Sequence, residues 1–307
     1  MAAYADIEKL ESLLKECSRL LDTDPQKAKN LANQAIKLAS QNNQQEKLGQ
    51  AYVYLARIVN NLEGADNAAN ICNKAIQILE KFDQSISLAR AWMNLGNCKI
   101  RQGEIVDAQQ CCLKAIDISR KCNDLDGQAA ALNGKGITFE EMGFNDNAMD
   151  CYKQANEIAA KAKNKLIQGA TFNNMANLLI DEKELEQATI YLQKGLEINR
   201  KIGRKLGIAH CLTNMGKIYI QKENFKQAEK SILRANELWE EIGSKNLIIP
   251  SLHVLAEVYM KTKRIDEAVE ILTKALNLAV EVNNQLFIGQ TKLELGKAFF
   301  QQDKTKH

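Results

Sequence analysis

The chain has 307 residues, of which 45% are apolar and 26% charged, with only two prolines. This composition supports a sizeable core and excludes a disordered or proline-rich linker protein. Forty-one basic residues balance thirty-eight acidic ones, and aromatic residues make up only 6%. Because a nucleic-acid binder would show a clustered basic excess or a stacking platform, no nucleic-acid partner is expected.

The chain also lacks the sequence features of membrane insertion and secretion. No apolar run approaches the length of a membrane-spanning helix, and the charged N-terminal segment is unlike a secretory signal. The eight cysteines form no Cys-x-x-Cys pair and no disulfide-like framework. Free thiols in a reducing compartment are therefore predicted, which makes the expected location cytoplasmic and leaves no membrane partner.

Small residues recur every forty residues without insertion or deletion. One column contains only alanine: Ala28, Ala68, Ala108, Ala148, Ala188, Ala228 and Ala268. A second column is Ala35, Ala75, Ala115, Ala155, Gly195, Ala235 and Ala275, and a third is Ala56, Gly96, Gly136, Ala176, Gly216, Ala256 and Gly296. Apolar residues accompany these columns at helical spacing. Each period is therefore predicted to consist of a helix A and a helix B that approach closely at the small residues.

In chain order, residues 1–43 are predicted to form a degenerate first repeat, with Glu16 at its small position, as suits a polar cap. Six forty-residue repeats occupy 44–283. Pro250 falls in the first turns of one helix A and predicts a late start or a kink there. A lone helix A follows over 284–307, which we interpret as the truncated end of a longer protein. The alternative is a last helix that docks alone.

These repeats resemble the tetratricopeptide repeat, in which a bulky residue stands four positions before the small residue of helix A. That column is Tyr52, Trp92, Leu132, Phe172, Leu212 and Leu252, with Lys292 departing from it. The period is similar to that of long-repeat scaffolds and bacterial signalling proteins, and Asn94-Leu95-Gly96-Asn97 is similar to a Leu-Gly-Asn signature. The resemblance covers residues 24–300. It implies one domain over 1–307, an all-α, right-handed α-solenoid of antiparallel helix pairs.

The resemblance also implies that the A helices line a concave groove that binds a partner. The groove positions are rich in asparagine, whose amide can both donate to and accept from a peptide backbone. Basic residues among them suit an acidic partner. The predicted peptide-binding residues are Arg57, Arg90, Asn94, Asn97, Arg101, Asn133, Asn173, Asn174, Asn177, Asn214 and Lys217. The alternative is that these amides are solvated or bond between repeats and fix the stack.

No catalytic set, metal-ligand cluster or phosphate-binding glycine loop is evident in the sequence. We therefore expect no enzyme activity, no cofactor and no metal. The sequence predicts a non-catalytic scaffold that binds a protein or peptide in its groove. Two alternatives stay open. One is a sensory region of a larger bacterial signalling protein that binds a peptide or small effector. The other is a scaffold that self-assembles end to end through the apolar end at Phe299 and Phe300.

Overall fold

A computed structural model describes residues 2–21, 23–82, 85–243 and 245–305, with side chains from residue 6 to residue 303. Within these ranges the chain is all-helical, with fifteen helices and no strand. The helices are α1 (Ala2–Leu20), α2 (Pro25–Gln41), α3 (Gln45–Leu62), α4 (Ala65–Leu79), α5 (Ile86–Gln102), α6 (Ile105–Lys121), α7 (Leu125–Glu141), α8 (Asn145–Lys161), α9 (Lys165–Asp181), α10 (Leu185–Lys201), α11 (Lys205–Gln221), α12 (Phe225–Ile242), α13 (Lys245–Lys261), α14 (Ile265–Glu281) and α15 (Gln285–Thr305).

The turns between helices explain the constant period. From α6 to α11 every helix has 17 residues, and three residues separate each from the next. Each of these turns contains a residue with left-handed backbone, such as Asn123 or Lys163. The following amide then bonds five residues back, as the Asp124 N–H does to the Ser119 carbonyl at 2.9 Å. This pattern satisfies the last carbonyls of the helix in a turn of fixed length.

Neighbouring helices pack at the small residues. All seven alanines of the column from Ala28 to Ala268 are fully buried. On helix A the small position faces a large side chain of helix B. A Cβ added to Gly136 would lie 2.5 Å from Cε1 of Tyr152, and one added to Gly216 would lie 2.5 Å from Cγ1 of Ile232. The columns therefore mark the closest approach of paired helices.

The odd-numbered helices form the inner layer of the solenoid. Each contacts the next odd-numbered helix, from α1 to α15, whereas contacts between even-numbered helices are at most marginal in the described ranges. Elements at the smaller radius of a curved array must lie closer together, so the odd-numbered helices line the concave face. In addition, α13 contacts α3. The two ends of the concave face thus approach each other and enclose the groove.

The predicted late start at Pro250 is wrong, because α13 begins at Lys245, in register with Lys205 of α11. Proline has a backbone angle compatible with a helix and removes only one internal bond, to the carbonyl four residues earlier. Ile249 and Leu252 are buried on either side of it against α12 and α14. Their packing holds the first turns helical. Among the described helices, none has the length and hydropathy needed to cross a bilayer.

Candidate functional site

Asparagines in the middle of the concave face bond to one another between repeats. The Nδ2 of Asn174 donates to Oδ1 of Asn133 at 2.9 Å. The Nδ2 of Asn214 donates to Oδ1 of Asn173 at 3.1 Å. Each bond joins one A helix to the next, α7 to α9 and α9 to α11. We call these contacts the amide ladder, because they connect consecutive repeats across the groove floor.

A charged chain of hydrogen bonds runs beside the amide ladder. Lys217 donates to Oδ1 of Asn177 at 3.1 Å, and Asn177 donates to Oε1 of Glu140 at 2.9 Å. The Tyr152 hydroxyl donates to the second oxygen of Glu140. Burial raises the pKa of Glu140, against the effect of its two donors, and burial lowers the pKa of Lys217. The Lys217 ammonium is thus engaged by a neighbouring repeat.

Two more of the predicted residues also bond to the preceding repeat. Asn94 is buried, and its Nδ2 donates to the Val53 carbonyl at 3.0 Å. Arg101 donates to the backbone carbonyl of Asn60 and, at 3.3 Å, to its Oδ1. Burial lowers the pKa of Arg101. The polar groups of both side chains therefore stabilise the contact between α3 and α5.

The concave face deepens into a cavity of about 460 Å³ between α3, α5, α7 and the first turns of α9 and α11. We call it the N-terminal cavity. Five of the predicted residues line it: Arg57, Arg90, Asn94, Asn97 and Asn133. The other six lie outside it: Arg101, Asn173, Asn174, Asn177, Asn214 and Lys217. The structure therefore brings together only predicted residues that come from α3, α5 and α7.

Three side chains offer polar groups to the N-terminal cavity. Arg90 and Asn97 lie two turns apart on one face of α5, and neither forms a hydrogen bond or ion pair with any described residue. Asn133 accepts a bond from Asn174 through Oδ1, which leaves its amide hydrogens for another acceptor. All three side chains are half-buried. A guanidinium and two amides thus face one enclosed space.

Other lining residues were missed by the sequence analysis. Asp126 and Asn164 line the cavity from the starts of α7 and α9, where Asn164 donates to Asp126 Oδ1 at 2.9 Å. Arg204 lines it from the start of α11. A sequence signal for Arg204 was available, because Arg204 stands at the N-cap position that Asp124 and Asn164 occupy in the two preceding repeats. Arg204 therefore departs from the residue types preferred at a helix N-terminus.

Tetratricopeptide-repeat models match residues 87–161, 168–241 and 249–279, which together make up more than half of the chain. The chain belongs to the tetratricopeptide-repeat family. The match runs from α5 to α14 and so includes most of the helices that line the N-terminal cavity. No curated protein sequence matches the chain.

Solved tetratricopeptide-repeat structures share the fold over almost the whole chain. A Rap protein complexed with Competence and Sporulation Factor has a TM-score of 0.72 and 17% identity, covering 97% of this chain and 87% of its own. The apo quorum sensor NprR from B. thuringiensis has a TM-score of 0.61 and 15% identity, with coverages of 97% and 82%. NprR in complex with its cognate peptide NprX has a TM-score of 0.63 and 15% identity, covering 96% of this chain and 84% of its own. At these identities the likeness shows the fold alone.

A second depression of the tetratricopeptide-repeat array lies between α13 and α15, with a volume of about 660 Å³. Several of its polar groups already have partners in the protein. Lys297 bonds to Glu294 at 2.7 Å, and Nε2 of His253 lies 2.7 Å from the Thr291 hydroxyl. This depression therefore offers a ligand fewer unengaged groups than the N-terminal cavity does.

His210 and the thiols are packed into the array. The His210 ring lies edge-on to Trp239, with centroids 4.8 Å apart, and burial lowers its pKa to about 4. All eight cysteines are free, and only Cys122 is partly exposed. Across the described part of the chain, no group of three or more His, Cys, Asp or Glu side chains could hold a metal ion.

Proposed function

We propose that this array recognises a short peptide in the N-terminal cavity without catalysis, and that Arg90 holds an anionic group of the peptide. The observation that carries the proposal is the contrast within the concave face. Asn173, Asn174 and Asn214 are used between repeats, whereas Arg90 and Asn97 face the cavity unengaged. Half-buried polar groups of this kind favour a ligand that completes their hydrogen bonds.

The size of the N-terminal cavity favours a short ligand. Its volume of about 460 Å³ lies within the range of small-ligand pockets. The contact between α3 and α13 encloses the groove further. A few residues of an extended chain fit such a space, and a folded domain does not. The amides of Asn97 and Asn133 can each bond to the backbone of such a peptide and contribute about 0.5–1.5 kcal/mol net.

One structural neighbour is consistent with a short peptide ligand. NprR, whose fold this chain shares, is known in complex with its cognate peptide NprX. A small anionic effector is the second candidate, because the same volume and the same guanidinium suit it. Either ligand agrees with a sensory role in a signalling protein, which we propose as the wider context of the array.

The proposal can be tested with a library of synthetic pentapeptides, each made with a free and with an amidated C-terminus. Peptides retained by the wild-type protein are titrated against Arg90→Ala. Loss of a charge-assisted hydrogen bond worth about 1.5–3 kcal/mol predicts at least a tenfold weaker affinity. A matched control is Arg120→Ala, because Arg120 is an exposed arginine on α6 outside the cavity.

The decisive comparison is between these two arginine variants, both first shown to be folded by circular dichroism. We expect Arg120→Ala to bind the retained peptides like the wild type. Equal affinities of Arg90→Ala and Arg120→Ala would show that the cavity is not the binding site. Retention of no peptide, together with binding of small anions that Arg90→Ala loses, would support the effector and contradict the peptide.

A further inference from the structure

The N-terminal cavity is wide where two A helices carry alanine in one row of the groove. Ala130 of α7 and Ala170 of α9 line the cavity, and both are half-buried. The same position is Arg90 on α5 and His210 on α11. Because a methyl group fills much less space than either of these side chains, the two alanines leave room for a ligand and give it an apolar surface.

Two leucines extend this apolar surface. Leu166 and Leu206 line the cavity from the first turns of α9 and α11, at the position that Asp126 occupies on α7. Leu166 packs on the buried cluster that contains Ala159, and Leu206 packs on the cluster that contains Trp239. Packing thus fixes both leucines, which are half-buried and present the rest of their surface to the cavity. We call the four apolar residues the aliphatic wall: Ala130, Leu166, Ala170 and Leu206.

An apolar residue also lies directly beside the guanidinium that we assign to an anionic group. Met93 lines the cavity at a position that is polar in Asn133 and Asn173 of the next two repeats. It lies between Arg90 and Asn97 on one face of α5, and its flexible thioether adapts to the shape of a neighbour. Charged and apolar surfaces therefore meet within one enclosed space.

The lining determines which end of a peptide the cavity favours. Three arginines and one aspartate are among the lining residues, so their charges attract an anionic terminus more than an amino terminus. The aliphatic wall gains by losing its contact with water. A C-terminal leucine, isoleucine or valine supplies both groups, because its carboxylate and its side chain are attached to the same carbon atom. An acidic side chain has its carboxylate where the aliphatic group would be.

We propose that the N-terminal cavity selects the free C-terminus of a peptide that ends in a branched aliphatic residue. The carboxylate binds Arg90, and the last side chain packs against the aliphatic wall. Asn97 and Asn133 then serve the peptide backbone that precedes this residue. The inference rests on the proposed function, to which it adds the end of the peptide that is bound and the residue that is selected.

The test uses pentapeptide pools that are random at four positions and fixed at the last, as leucine, glycine, aspartate or lysine. Each pool is made with a free and with an amidated C-terminus, and its affinity for the wild-type protein is measured by competition. We expect the free leucine pool to bind about tenfold or more tightly than the other free pools, because only leucine buries an aliphatic side chain. Amidation should weaken binding of the leucine pool about tenfold or more.

A change of size at the aliphatic wall tests where the last side chain lies. Ala170→Leu places a leucine side chain in the space assigned to that of the ligand. It should weaken binding of the leucine pool about tenfold and leave binding of the glycine pool close to that of the wild type. Ala160→Leu is the matched control, because Ala160 is an exposed alanine on α8 outside the cavity. It should bind both pools like the wild type.

A second variant changes polarity and removes the dependence on one substitution that alters packing. Leu206→Asn introduces the residue that α13 has at this position, Asn246, and should reduce the preference for the leucine pool over the glycine pool. Circular dichroism first shows which variants are folded.

The outcomes separate this inference from the proposed function. Failure of every pool to bind the wild type would overturn both the inference and peptide recognition. Pools that bind through Arg90 whatever their last residue, or equally well when amidated, would overturn the inference alone. A preference for leucine that persists in folded Ala170→Leu and Leu206→Asn would also overturn it.

Discussion

Burial and the electrostatic environment keep His210 neutral in the folded array. Its ring packs edge-on against the buried Trp239, with ring centroids 4.8 Å apart. Burial lowers its pKa to about 4, and the charges of Arg204 and Lys217 act in the same direction. The unfolded chain titrates this histidine near its ordinary pKa of about 6.5. On acidification the unfolded state therefore takes up the proton first, so His210 favours unfolding as the pH falls below that value.

We expect the wild type to lose about 2 kcal/mol more unfolding free energy than His210→Gln between about pH 7.5 and about pH 5. Urea unfolding followed by circular dichroism at both pH values measures this difference. The raised pKa of Glu140 contributes with the opposite sign, because its folded state binds the proton more readily, and it does so in both proteins. Equal losses in the two proteins would contradict the assignment to His210.

Paired helices pack where a small residue of one helix faces a large residue of the other. Gly136 gives space to Tyr152, and Gly207 gives space to Asn199, whose Oδ1 would lie 2.1 Å from an added Cβ. The alanine and glycine columns could be predicted from the sequence because the small partner recurs in every repeat. The large residue that faces each small one could not be predicted, because it does not recur: Asn199 and Trp239 occupy equivalent positions and have unrelated shapes.

Gly136→Ala and Gly296→Ala are the same substitution at equivalent positions and should have opposite effects. At Gly136 the new methyl meets Tyr152, which is fully buried, so overpacking should lower the free energy of unfolding by about 1–3 kcal/mol. At Gly296 it meets no described atom, so the gain in helix propensity should raise it by about 0.5–1 kcal/mol. Urea unfolding at low protein concentration compares them. A lower free energy of unfolding for both variants would contradict the packing of small against large residues.

The curvature of the whole molecule brings together residues that the repeat pattern keeps apart. The contact between α3 and α13 spans five repeats and results from small rotations added at every interface. The columns predict each helix pair but contain no measure of those rotations. For this reason Arg90 and Asn97 could be predicted as groove residues, whereas the repeat pattern does not show that Arg204 and Asp126 reach the same cavity from later repeats.

The sequence analysis also could not distinguish ligand-binding asparagines from those that couple the repeats. An asparagine on the inner face has the same spacing in either role, and only the position of the neighbouring amide separates them. Asn174 and Asn214 each reach an amide of the preceding repeat, so the amide ladder contributes to the interfaces in the middle of the array. In a linear array, stability is close to a sum of repeat and interface contributions. Weakening the middle interfaces should therefore uncouple the two ends.

We expect Asn174→Ala combined with Asn214→Ala to lower the free energy of unfolding by about 2 kcal/mol, since each lost bond contributes about 0.5–1.5 kcal/mol. The two tryptophans lie on opposite sides of the ladder, Trp92 on α5 and Trp239 on α12. In single-tryptophan backgrounds, their fluorescence transitions in urea should coincide for the intact ladder and separate for the double variant.

Measuring peptide binding as well as unfolding distinguishes this double variant from a variant of the N-terminal cavity. Asn97→Ala should weaken binding of a retained pentapeptide and leave the two transitions coincident, because Asn97 bonds to no described residue. The ladder variant should show the reverse, with separated transitions and binding close to that of the wild type at urea concentrations where α5 remains folded. If both variants changed binding and cooperativity together, the inner asparagines would form one system, and the division between a coupling ladder and a binding cavity would be wrong.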